Sequence, residues 1–132
     1  MIVFDNTYIT LHYHAEINAL EYEWKGFVPA DQFRECMEKA LVHFKERKAT
    51  QMIPNLVKIR VVGPAEQAWF DEDLMPRFVS AGLKRAAIVQ SETAFGAAVN
   101  KIIMQRLEAK NDGVERKVFG NYAEALEWLK KT

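Results

Sequence analysis

The chain has 132 residues, 49% hydrophobic and 27% charged, and its 18 acidic and 18 basic side chains cancel to a formal net charge of zero. That length suits one globular domain over residues 1–132, able to bury its own core without metal or disulfide staples. A neutral chain sets up no long-range field towards nucleic acid or an anionic membrane, so neither is an expected partner.

The stretch Met1-Ile2-Val3-Phe4-Asp5 has no basic n-region and is far too short for a signal sequence or a membrane span. Cys36 is the single cysteine, which fits a reducing, cytoplasmic compartment.

Tyr8 to His14 alternates Ile9, Leu11 and Tyr13 with Tyr8, Thr10, His12 and His14. Asn18 to Lys25 alternates again, with Leu20, Tyr22 and Trp24 against Ala19, Glu21, Glu23 and Lys25. Two period-two segments meeting near Ala15-Glu16 predict a β-hairpin. Both apolar faces reach the core only if an odd residue stands opposite an even one, for instance Leu11 facing Leu20.

Gly26 to Pro29 breaks the strand, and Pro29 suits the first turn of a helix. Phe33, Met37, Ala40, Leu41 and Phe44 follow at helical spacing. Arg34 with Glu38 and Glu35 with Lys39 read as i,i+4 pairs on the solvated side. From Gln51 to Val62, either a short strand ends near Leu56 or the alternation of Val57, Ile59 and Val61 prolongs it. Pro54 removes a ladder donor, which favours the short strand followed by an irregular connector.

Gly63-Pro64 opens a second helix with Trp69, Phe70, Leu74 and Phe78 on its inner side, making Trp69 an expected core residue. Pro76 should kink or split it near Met75, and Gly82 should cap its end. Ala86 to Gln90 suits a buried strand of a parallel sheet. Thr93 can cap a third helix with the stripe Phe95, Val99, Ile102, Ile103 and Leu107. Asn111-Asp112-Gly113 is a turn, Val114 to Phe119 an edge strand carrying Glu115, Arg116 and Lys117, and Asn121 to Glu124 a capping-box-like start to a fourth helix. The order is hairpin, then helix and strand in alternation, closing on a helix. That is an α/β fold, a mixed sheet with an antiparallel hairpin edge and parallel strands, packed with four helices.

Trp24-Lys25-Gly26-Phe27 after the hairpin, Trp69 in the helix after Gly63-Pro64, Gly82-Leu83-Lys84 leading to Ala86-Ile88-Val89, and Phe119 with Ala125-Leu126 and Trp128-Leu129 carry a resemblance. With this order of elements, the chain from about Thr7 onward resembles the SpoIIAA-like group of STAS domains, the anti-sigma-factor antagonists. The resemblance implies a bacterial, non-enzymatic regulator that binds a partner protein. It also implies a phosphorylated serine at the start of the second helix. The matching region is Asn55 to Glu66, and between Thr50 and Ser80 this chain has no serine, threonine or tyrosine. The phosphorylation switch therefore does not carry over.

His12 and His14, with Glu21 and Glu23 on the same face of the next strand, have a spacing that can bind a metal. A solvated face with weak His-to-Glu pairs is the expected state, because a metal site also needs a closed ligand set and a second shell. Cys36 is a mid-helix structural thiol, His43 a surface residue, and Asp71-Glu72-Asp73 a solvated acidic turn. No nucleophile with a base, no metal set and no phosphate loop is evident, so no enzyme and no cofactor is expected. The expected role is a binding and regulatory module working through protein contacts, as a homodimer covered at the apolar connector. The rival is a binder of a small apolar or anionic ligand between sheet and helices. Candidate contact residues are Asn55, Lys58, Ile59, Arg60 and Val61 after one strand, and Gln90, Ser91 and Thr93 after the next.

Overall fold

The computed structural model describes residues 1–59, 62–90 and 112–131. The helix expected from Thr93, Asn111 of the following turn, and the candidates Arg60, Val61, Ser91 and Thr93 lie outside the described residues. The architecture is a six-stranded sheet in the order β1-β2-β3-β4-β5-β6, with helices on both faces.

The hairpin forms as alternation requires. β2 (Ile9–His14) and β3 (Ala19–Trp24) pair antiparallel, with Ile9, Leu11 and Tyr13 opposite Trp24, Tyr22 and Leu20. The odd-to-even parity holds, while Leu11 faces Tyr22 and not Leu20; a two-residue shift leaves every side chain on its face. A 3₁₀ turn (Ala15–Ile17) joins them and ends at Asn18 in the left-handed conformation with φ 49°, one that asparagine tolerates. Tyr13 Oη donates to Asn18 Oδ1 at 2.6 Å, fixing the corner.

An additional strand, β1 (Ile2–Asp5), pairs antiparallel with β2, so the antiparallel portion is three strands wide and not two. The turn between them is closed by Asn6, whose Oδ1 accepts from the backbone N–H of Tyr8 and of Ile9 at 2.8 and 2.9 Å. Asp5 is held by Thr10 Oγ1 at 2.7 Å and Lys25 Nζ at 2.6 Å.

α1 (Ala30–Glu46) starts after Pro29 and buries Phe33, Cys36, Met37, Ala40, Leu41 and Phe44. Arg34 and Glu38, expected to pair along the helix, reach across to the next one: Arg34 stands 3.7 Å from Glu66, and Arg77 donates to Glu38 at 2.6 Å. Sequence spacing reports only neighbours on the same helix, and a second helix alongside offers closer partners.

β4 (Gln51–Asn55) is short, as Pro54 suggests, and an irregular connector follows in the described residues. It pairs parallel with β3 and β5, but the described register to β5 holds only at Gln51, Met52 and Asn55. The Leu56 N–H donates to the Val89 carbonyl at 2.8 Å. Alternation therefore points the missing N–H of Pro54 towards β5, on the side where the ladder is interrupted.

The second helix begins at Gly63-Pro64 and runs as α2 (Pro64–Trp69), a π-turn (Phe70–Leu74) and α3 (Met75–Ser80). The widened turn ends two residues before Pro76, so the break expected at Met75 takes the form of a π-turn. Trp69, expected in the core, is only half-buried: it packs edge-on to Phe33 at 6.2 Å and lies under the Arg34 guanidinium at 5.3 Å. Leu74, Met75 and Phe78 fill the interior below it. Gly82 ends α3 at φ +110°, with Gly82 N–H donating to the Val79 carbonyl at 3.0 Å and Leu83 N–H to the Phe78 carbonyl at 3.1 Å. That bonding pattern is a Schellman cap.

β5 (Arg85–Val89) is interior, flanked by β4 and by the edge strand β6 (Glu115–Phe119), parallel to both. α4 (Tyr122–Lys130) is capped by Asn121, whose Oδ1 accepts from the Glu124 N–H at 3.2 Å. Each parallel crossover advances to the next strand, and right-handedness puts successive crossover helices on one face. α1 and α3 accordingly pack with Ile9, Leu11, Leu20, Tyr22, Trp24, Met52 and Ala86. α4 follows the last strand and packs with Ala19, Ile53, Ala87, Val89 and Phe119 on the opposite face.

Candidate functional site

On the face that carries α4, strand alternation aligns Thr10, His12 and His14 of β2, Glu21 and Glu23 of β3, and Asn55 of β4. His12 is opposite Glu21 and Thr10 opposite Glu23, yet the contacts run diagonally. His12 Nε2 lies 3.0 Å from Glu23 Oε1, and His14 Nε2 lies 2.9 Å from Glu21 Oε1. The two imidazoles are near-parallel at 29°, with centroids 6.4 Å apart.

Glu21 is the centre. It is 3% exposed, and three side chains from three other elements converge on its carboxylate. Tyr122 Oη, from the first residue of α4, donates to Oε1 at 2.5 Å. Asn55 Nδ2, from the end of β4, donates to Oε2 at 3.0 Å, and His14 contributes from β2. Burial pushes the Glu21 carboxyl up, but the hydrogen bonds from His14, Asn55 and Tyr122 outweigh it and hold the group below the ordinary glutamate range. Burial, with the hydrogen bond to Glu21, raises the Tyr122 hydroxyl well above the ordinary tyrosine value. The Tyr122 oxygen is also 3.3 Å from His14 Nε2. The arrangement is a carboxylate immobilised by hydrogen bonds from three side chains, with His12 and Glu23 on its more open side.

The expected solvated face is therefore corrected. The His-to-Glu pairs exist, but Glu21 is buried and His14 is 18% exposed, because the start of α4 brings Tyr122 onto this surface. Sequence reasoning grouped the four strand residues and missed Tyr122 and the role of Asn55. No local signal places Tyr122 there.

The other candidates separate. Lys58 is exposed, and Val57 beside it is 45% exposed. Ile59 is partly buried against the main core of its own chain, so it needs no second subunit to cover it. Gln90 is 4% exposed, closing the end of β5 where its N–H donates to the Phe119 carbonyl at 2.9 Å; it is not a surface contact. Cys36 is buried, its thiol pushed up by burial.

The arrangement of strands and helices defines a SpoIIAA-like α/β fold. A solved structure of an uncharacterised protein of the DUF3478 family from Shewanella loihica PV-4, described as having a SpoIIAA-like fold, superimposes with a TM-score of 0.63 over 96% of this chain and 98% of that one. The two sequences are 16% identical, so the likeness is one of fold. No family model matches the chain, and no curated protein matches it. Among the described residues, no helix is long and apolar enough to cross a membrane.

Proposed function

We propose that this protein is a non-enzymatic binding and regulatory module of the cytoplasm, working through protein contacts, and that its first partner is a second copy of itself. The observation behind this is the pair of loops leaving β3 and β4, neighbouring parallel strands. They present Phe27 at 66% and Val57 at 45% exposure, with exposed Lys58 beside them. Large apolar side chains grouped at one end of a sheet favour association, and a chain of zero net charge lacks the repulsion that would oppose it. A two-fold contact lets this patch meet its own copy. The chemistry of the polar face also favours binding over catalysis, since the Tyr122 proton is held by Glu21.

Sedimentation velocity in the micromolar range tests the proposal. The unmodified protein should run as a dimer, and Phe27→Asp combined with Val57→Asp should give a monomer with an unchanged far-UV spectrum. A monomeric unmodified protein would remove the self-association; a dimer that survives the double change would move it to another face.

A small-ligand reading has its own observation. An open cleft of about 530 Å³ lies at the amino ends of β4 and β5, lined by Gln51, Lys84, Arg85 and Lys130 among others. Gln51 donates to the Ile17 carbonyl at 2.6 Å, while its Oε1 is buried without a hydrogen-bond partner. Cations beside an unmatched acceptor suit a small hydroxycarboxylate. A thermal-shift series with such acids tests this, and no shift at millimolar concentration removes it.

A further inference from the structure

We propose that His12, Glu21 and Glu23 form a binding site for a divalent transition-metal ion, with Zn²⁺ as the representative. The proposal is independent of the self-association reading. One ligand atom from each of the three residues lies within 4.8 Å of the others.

Charge is the first argument. Two carboxylates share one strand face, Glu21 buried and Glu23 with its side chain 33% exposed. Among the described residues, these two carboxylates form ion pairs with histidines alone. A divalent cation held between them would balance both carboxylates.

The second argument is the count of lone pairs. Glu21 Oε1 already accepts from Tyr122 and His14, and Oε2 accepts from Asn55. Each carboxylate oxygen has two lone pairs, so Oε2 keeps one free. Among the described residues Glu23 accepts from His12, and His12 Nε2 would exchange that bond for the metal. An imidazole nitrogen and two carboxylate oxygens form a mixed donor set that zinc and its first-row neighbours accept.

The third argument is support. Ligating carboxylates in metal sites are themselves hydrogen-bonded, which fixes their orientation. Glu21 has that support from Asn55, His14 and Tyr122, on three separate elements. This outer shell is what the strand pattern by itself does not supply. Metal–ligand bonds of about 2.1 Å put tetrahedral ligands about 3.4 Å apart. No pair of the three atoms would therefore need to close by more than about 1.4 Å from the 4.8 Å spread. His12 and Glu23, at 24% and 33% exposure, are free to make that adjustment while Glu21 stays in place. Three protein ligands leave a fourth position on the open side for water.

The test is calorimetric titration of Zn²⁺ into the metal-stripped full chain, checked by competition with a fluorescent zinc indicator. One equivalent per chain should bind in the micromolar range or tighter, and Co²⁺ should give the visible absorption of a tetrahedral site. His12→Ala and the near-isosteric Glu23→Gln, both at partly exposed positions, should each weaken binding tenfold or more. Tyr122→Phe, which removes a supporting donor, should weaken it about tenfold with unchanged stoichiometry. His43→Ala on α1 should bind as the unmodified protein does. The proposal is overturned if the unmodified chain shows no saturable Zn²⁺ binding in the micromolar range. It is equally overturned if correctly folded His12→Ala and Glu23→Gln, verified by circular dichroism, bind unchanged.

Discussion

Glu21 and Trp69 show how far one residue can be judged from its neighbours in sequence. Glu21 alternates with Leu20 and Tyr22 and reads as an outward polar residue, yet it is buried, at 3% exposure. Trp69 reads as core and is only partly buried, because the α2 end of its helix rides at the rim of the interior that Leu74 and Phe78 fill. Trp69→Ala should therefore cost about 1–2 kcal/mol, well short of the ~3–5 kcal/mol for a fully buried tryptophan. Urea denaturation measures it, and a loss in the upper range would return Trp69 to the core.

Asp112 gives the pH-dependent case. Arg116, 2.6 Å away with its side chain 5% exposed, holds the Asp112 carboxyl down to about 2 from an ordinary value of 3.8. A depressed folded-state value means the group stabilises the protein above its unfolded value, and that contribution fades as pH falls from 3.8 towards about 2. Asp112→Asn should thus be less stable than the unmodified chain at neutral pH, with the gap closing below pH 3.8. A gap independent of pH across that window would assign the effect to something other than the carboxylate charge.

Elements were easier to read than their partners. Period-two alternation produced the hairpin and its parity, because a face on the core admits no odd slip. The exact register did not follow, since Leu11 packs equally well opposite Leu20 or Tyr22 as far as alternation is concerned. β1 was missed because a four-residue strand is too short to display a period; what defines it is its pairing with β2. The break in the second helix was legible from Pro76, whereas its form as a π-turn depends on keeping both helical ends packed. Gly82 was legible as a cap and is one, at φ +110° with nothing within 4 Å of where a Cβ would stand. Gly82→Ala should then cost about 1–2 kcal/mol through backbone strain alone, without a steric clash. Thermal unfolding with an intact circular dichroism spectrum checks it; a neutral effect would mean the αL cap contributes nothing.

For the whole molecule, a sheet in sequential strand order carries α1 and α3 on one face and α4 on the other. α2 starts at Gly63-Pro64 with no hydroxyl residue from Gln51 to Val79. Incubation with a protein kinase and ATP should leave that segment unmodified by mass spectrometry, and a phosphate within it would restore the serine-switch mechanism by another chemistry.

Among the described residues, the sequence by itself determined the alternating faces, the caps, the breaks and, β1 apart, the order of elements, because each depends on residues within a few positions of one another. It thereby placed His12, His14, Glu21 and Glu23 on a single face. Whether that face meets water was decided only in three dimensions. Asn121 starts α4 and its periodicity turns Ala125 and Leu129 inward, but where the helix crosses the sheet depends on the shapes of Ile53, Ala87, Val89 and Phe119 together. That crossing sets Tyr122 on Glu21, 101 residues away in the chain. Local patterns carry no information at such separations, since the contact is the outcome of packing among side chains from four elements.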